Sequence, residues 1–162
     1  MRGRVYLPGD RPRERGFTLV EVLVVVALVG LLLGVAVVSF NRAAAHWEIE
    51  AAARLLASDI RAAQQKALAE GTATAVRFYR DAGYYEQHSG GAVRGAVYLP
   101  VRVRFAKLTF PAVAAGVYEL HFAASGNPGG TGTAYLTNYA GEYRAVRVLV
   151  GTGRVRVTAE AP

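Results

Sequence analysis

The sequence predicts an α+β fold, one long N-terminal helix packed on antiparallel β-sheet, in a chain of 162 residues. Three observations carry this. No proline interrupts the apolar and small residues between Phe17 and Glu70. Within the second half of that stretch, apolar residues recur at intervals of three and four, the period of a helix face. After Gly71 the period falls to two, in short β-branched and aromatic runs separated by glycine-rich turns. A helix followed by consecutive strands is the α+β arrangement.

The helix begins inside an apolar run. Val22 to Val38 reads VLVVVALVGLLLGVAVV, seventeen residues without a charge, and Phe17 to Val20 extend it past Glu21. About 20 apolar residues span a bilayer, so 17–40 is expected to be a transmembrane segment. Gly30 and Gly34 form a G-x-x-x-G pair inside it, which permits close helix approach in lipid. Residues 41–71 form the amphipathic half. Ile49, Ala52, Leu56, Ile60, Ala63 and Ala67 make one apolar stripe, expected to pack on a sheet. Glu50 and Arg54 form an i,i+4 pair elsewhere on the helix, and Gly71 suits the C′ stop. At 1.5 Å per residue, a helix over 17–70 reaches about 80 Å.

Residues 72–162 are expected to be a β domain, joined with 41–71 into one globular domain. Strands are read at 72–80, 84–88, 101–105, 117–123, 132–137, 143–150 and 154–158. Turns at Asp81-Ala82-Gly83, at 125–130 and at Gly151-Thr152-Gly153 separate them.

Composition limits the chemistry. The chain has no cysteine, which excludes disulfides, a thiolate nucleophile and Cys-ligated zinc. His46, His88 and His121 have no metal-ligand spacing. Ser125 lacks the G-x-S-x-G elbow, and the loop at 126–132 lacks the GK[ST] ending of a phosphate-binding loop. No catalytic, cofactor or metal site is expected. The net charge is +7.

Glu21 is the charge that needs a reason, because a carboxylate at membrane depth costs roughly 2.5–3.5 kcal/mol at a central position. One reading leaves it at the lipid headgroup level without a role. The other lies in Arg13-Glu14-Arg15-Gly16-Phe17-Thr18-Leu19-Val20-Glu21. This segment resembles the class III signal of type IV prepilins and type II secretion pseudopilins. The resemblance implies that a prepilin peptidase removes residues 1–16 by cutting between Gly16 and Phe17. It further implies that Phe17 is N-methylated, and that Glu21 neutralises the Phe17 amine of an adjacent subunit when 17–40 enters the filament core. An ordinary secretory signal would instead be cut after its apolar region, and no A-x-A-like exit follows here. Five arginines precede the run and only Arg42 follows it closely, so the leader is expected in the cytoplasm and the body beyond the inner membrane. Without 1–16, fourteen basic and ten acidic side chains remain, or +4.

The C-terminal half resembles the GspH/FimT group of minor pseudopilins and minor type IV pilins. The residues that carry this are Phe122-Ala123-Ala124-Ser125-Gly126, Thr133-Ala134-Tyr135-Leu136, and Thr152-Gly153-Arg154-Val155-Arg156-Val157. Residues 89–116 match no known pattern. A pilin-like fold follows from both resemblances, with other pilins or pseudopilins and an inner-membrane assembly platform as partners. The missing proline in the helix departs from many major pilins and favours a minor subunit.

Arg154 and Arg156 alternate with Val155 and Val157, so their guanidiniums are expected on one solvent face. Arg102 and Arg104 repeat the pattern between Val101, Val103 and Phe105. If those strands are neighbours, a basic stripe results, extended by Arg147, that holds DNA phosphates. FimT-like relatives include DNA-uptake proteins with a G-R-x-R tail, as the resemblance implies. Tyr84, Tyr85 and Tyr139 are either base-stacking or core residues. The competing readings are a solvated, charged edge and a protein contact. Two machines fit the chain: a type IV pilus, with roles in adhesion, twitching or transformation, and alternatively a type II secretion pseudopilus.

Overall fold

The computed structural model describes residues 17–149, 151 and 153–162, and leaves the side chains of 35–39 undescribed. It divides into Met1–Ser39 and Phe40–Pro162. One helix, α1 (Leu19–Glu70), has residues in both. In the first unit the Glu21 amide donates to Thr18 Oγ1 at 3.2 Å and the Val22 amide to the Thr18 carbonyl at 3.2 Å, so Thr18 caps the helix. Among the described residues no helix is long and apolar enough to cross a membrane. The leader 1–16 lies outside the described residues, as do the side chains of 35–39 in the apolar run.

The second unit follows the amphipathic reading. Ile49, Ala52, Leu56, Ile60, Ala63 and Ala67 are all buried, together with Ala45, Ala53 and Ala57. Small residues on this face let the sheets approach the helix closely. Gly71 ends α1 at φ 59°, the left-handed region that glycine enters without a Cβ penalty.

Among the described residues nine strands follow: β1 (Thr74–Tyr79), β2 (Tyr84–Ser89), β3 (Ala92–Tyr98), β4 (Val103–Leu108), β5 (Ala112–Ala114), β6 (Val117–Phe122), β7 (Gly132–Asn138), β8 (Tyr143–Val148) and β9 (Val155–Thr158). They form two sheets, ordered β3-β2-β1-β6-β5 and β4-β7-β8-β9. Every pairing is antiparallel. Both sheets contribute to one core with α1. Phe78 stacks on Phe110 at 4.9 Å and meets Phe105 edge-on at 5.9 Å, which joins the two sheets.

Of the three strands in the stretch that matched no pattern, β3 and β5 were not read from the sequence. Both are edge strands, and β3 is exposed at every residue but Val97, so neither carries the alternation that marks a half-buried strand. β4 begins two residues later than expected. The Val103 amide donates to the Pro100 carbonyl at 2.8 Å, which makes 100–103 a turn and leaves Val101 fully exposed rather than facing the core.

Polar contacts fix the helix against both sheets. The Thr74 hydroxyl donates to the Ala63 carbonyl at 2.8 Å, and the Tyr85 hydroxyl to Asp59 Oδ2 at 2.5 Å. Asn138 Nδ2 donates to the Ala45 carbonyl at 3.0 Å. Gln64 Nε2 donates to the Gly126 carbonyl at 3.0 Å. Gly126 has φ 74°, and a Cβ there would run into the Leu68 side chain, so the turn after β6 needs glycine on both counts.

Candidate functional site

The two functional regions read from the sequence lie in different units. In the first, Phe17 is exposed at the start of the helix and Glu21 sits in its first turn. Gly16 lies outside the described residues. Thr18 and Glu21 occupy the N-cap and N3 positions of a capping-box pattern, S/T-x-x-E, in which a first-turn carboxylate also complements the helix dipole. The sequence carried this local signal, and the reading of Glu21 as a filament residue passed over it.

In the second unit the four arginines proposed for DNA are exposed. They do not form one stripe. β4 and β9 are the two outer strands of the four-stranded sheet, with β7 and β8 between them. Neighbouring strands lie about 4.8 Å apart, so the two basic rows stand about 14 Å from each other. The condition on which the stripe depended is not met. Arg147 does extend the β9 row, because it lies opposite Arg156 in the β8–β9 register. On the other edge, Arg104 lies opposite Thr137 of β7.

Acidic and aromatic neighbours hold several of these groups. Arg147 donates to Glu160 Oε2 at 3.1 Å and to Thr133 Oγ1 at 3.3 Å. Arg102 reaches Glu48 at 3.8 Å and stands over the Tyr139 ring at 5.5 Å. A cleft of about 230 Å³ opens here, lined by Arg102, Arg104, Asn138 and Tyr139 with Val101 and Val103.

Of the tyrosines, Tyr85 is buried, and desolvation together with its bond to Asp59 pushes its phenol well above the usual range. It is a core residue and has no face for a base. Tyr84 stacks between Tyr79, at 4.5 Å, and Tyr98, at 5.1 Å. Tyr139 is exposed beside Arg102.

A second set of contacts was read from the sequence only as the Glu50–Arg54 pair, which the structure extends. Glu50 joins Arg54, at 2.8 Å, to Arg144 of β8, at 2.7 Å. The hydrogen bond from Arg144 outweighs partial burial and holds the Glu50 carboxyl below its ordinary value. Asn138 accepts from the Ala140 and Glu142 amides at 3.0 Å each, closing the β7–β8 turn beneath α1. His46 pairs with Glu142 and His88 with Glu86. Among the described residues no three His, Cys, Asp or Glu side chains group as metal ligands.

Comparison with known proteins bears on the N-terminal segment and on the fold. Residues 11–37 match the prokaryotic N-terminal methylation motif. No curated protein matches the chain in sequence. Among solved structures, the minor pseudopilin EpsH from the Type 2 Secretion System of Vibrio cholerae is similar, with TM-score 0.56 and 14% identity. The match covers 69% of this chain and 97% of that one. The type IV minor pilin FimU of Pseudomonas aeruginosa is similar with TM-score 0.53 and 16% identity, over 72% of this chain and 94% of that one. At such identities the likeness is one of fold. The chain thus joins a prokaryotic N-terminal methylation motif to the fold seen in minor pilins and pseudopilins.

Proposed function

We propose that the protein is a minor type IV pilin, a noncatalytic filament subunit that helps initiate or cap pilus assembly. In this reading residues 17–40 hold it in the inner membrane with the globular unit outside. A prepilin peptidase cuts between Gly16 and Phe17 and methylates Phe17, and Glu21 pairs with the Phe17 amine of a neighbouring subunit. The observation that carries the reading is the coincidence of Gly16-Phe17-Thr18-Leu19-Val20-Glu21, inside the matched methylation motif, with a pilin fold downstream. A generic single-pass anchor needs neither the glycine nor the carboxylate at these spacings. Assembly through an inner-membrane platform follows from the same class.

Intact mass spectrometry of the chain expressed with and without a prepilin peptidase tests it. The expected product begins at methylated Phe17 and depends on the peptidase. Retention of Arg15-Gly16 under both conditions would overturn the reading.

The alternative is a type II secretion pseudopilus subunit, favoured by the match over nearly the whole length of EpsH. Restoration of protein export or of pilus formation in the corresponding deletion strain separates the two. DNA contact belongs to the pilus reading. The exposed Arg154 and Arg156 on one edge, and Arg102 and Arg104 on the other, supply phosphate-binding guanidiniums.

A further inference from the structure

We propose that the free edge of β9 is a self-association surface, on which β9 of a second copy pairs antiparallel about a two-fold axis at Val157. β9 ends its sheet, so the backbone groups on its outer side have no strand partner. On that side the Val155 carbonyl accepts from the Arg61 guanidinium at 3.2 Å.

The edge is self-complementary in charge. Arg154 and Arg156 stand exposed at its start, and Glu160, which accepts from Arg147 of its own chain at 3.1 Å, stands exposed just past its end with room for a second cation. Side chains opposite one another across a strand pair share a sheet face, so two-fold pairing matches residues of like parity. With the axis at Val157, Arg156 lies opposite Thr158 of the second copy, and Arg154 lies opposite Glu160 of the second copy. The symmetry makes each contact twice. Opposite charges facing across antiparallel strands are favourable, and here antiparallel direction is what brings them together.

Two features of the same edge agree. Val157 packs against the core yet is only half-buried, and the axis sets it against its own equivalent. A cleft of about 420 Å³ adjoins the end of the strand, lined by Glu50, Arg54, Arg144 and residues 157–159, and gives an incoming strand room beside α1. All of this lies in residues 40–162 and is independent of the filament reading.

The chain has no cysteine, so single cysteines report the axis directly. In the full chain in detergent, Val157→Cys is expected to form a disulfide-linked dimer on mild oxidation, whereas Ala106→Cys on the opposite edge is not. Because the apolar run can associate in detergent, charge reversal isolates the strand contact. By sedimentation, Arg154→Glu and Glu160→Arg are each expected to weaken dimerisation about tenfold or more, while the double reversal returns to within about threefold of the parent. Equal cross-linking at both cysteines, or a double reversal no tighter than the single variants, would overturn the proposal.

Discussion

Glu50 carries two arginines on one carboxylate, and its titration reports on the contact between helix and sheet. Its folded pKa lies below the ordinary 4.5, through the Arg144 hydrogen bond first. A depressed carboxyl contributes stability that is fully present above the unfolded value and is lost as pH falls through the folded one. Glu50→Gln leaves the mostly buried Arg144 without its counter-charge and is expected to cost about 1–3 kcal/mol at neutral pH. In urea titrations, the gap between parent and variant should be constant above about pH 5.5 and close below the folded pKa. A gap that persists unchanged at pH 2 would mean that packing, not charge, is what the substitution removed. Glu21 poses the opposite question, since the Thr18 cap gives it a local role beside the filament role proposed for it. Thr18→Ala removes the cap, which is worth about 1 kcal/mol. Glu21→Gln keeps the shape and removes the charge. If intersubunit neutralisation governs assembly, Glu21→Gln should abolish entry into filaments in a pull-down of sheared pili, and Thr18→Ala should leave it near the parental level. Equal losses would assign Glu21 to the helix start alone.

At the scale of elements, what could be read in advance tracks what each element buries. The helix stripe was legible because six residues repeat on one face and all six are buried. β1 alternates inward Val76 and Phe78 with outward Arg77 and Tyr79, and it too was legible. β3 and β5 were not, because a strand that lies at an edge with most side chains in water has no inward set to repeat. Strand position was also beyond reach, since a run such as Val101-Arg102-Val103-Arg104-Phe105 alternates equally well whether its first residue lies in the strand or in the turn before it. The same logic gives a sharp test on adjacent residues. Leu56 is fully buried and Leu55 is about half exposed. Leu56→Ala should cost about 2–5 kcal/mol in chemical denaturation, and Leu55→Ala should stay within about 0.5 kcal/mol. Similar losses at both sites would contradict the orientation of α1.

For the whole molecule, the N-terminal methylation motif was readable because it is contiguous, whereas the basic surface depends on which strands are neighbours. Strand order is not written in any one strand. Arg102, Arg104, Arg154 and Arg156 were each placed on an exposed face correctly, yet the sheet puts β7 and β8 between the two pairs. That arrangement changes what DNA binding would look like. A single stripe would follow one phosphate backbone, whereas two rows about 14 Å apart can meet phosphates on two strands or on two turns of one. Arg104→Ala and Arg156→Ala then remove phosphate contacts that do not share neighbours, so their effects should add. Each is expected to lower the slope of log affinity against log salt by about 0.9 for duplex DNA, and the double variant by about twice that. The measurement is a salt titration of DNA binding by the full chain in detergent. If only Arg156→Ala and its neighbour Arg154→Ala change the slope, the β4 edge does not touch DNA, and Arg102 serves instead to hold Tyr139 and Glu48 in place. If no variant changes it, the arginines are a solvated, charged margin that keeps both sheet edges from indiscriminate pairing.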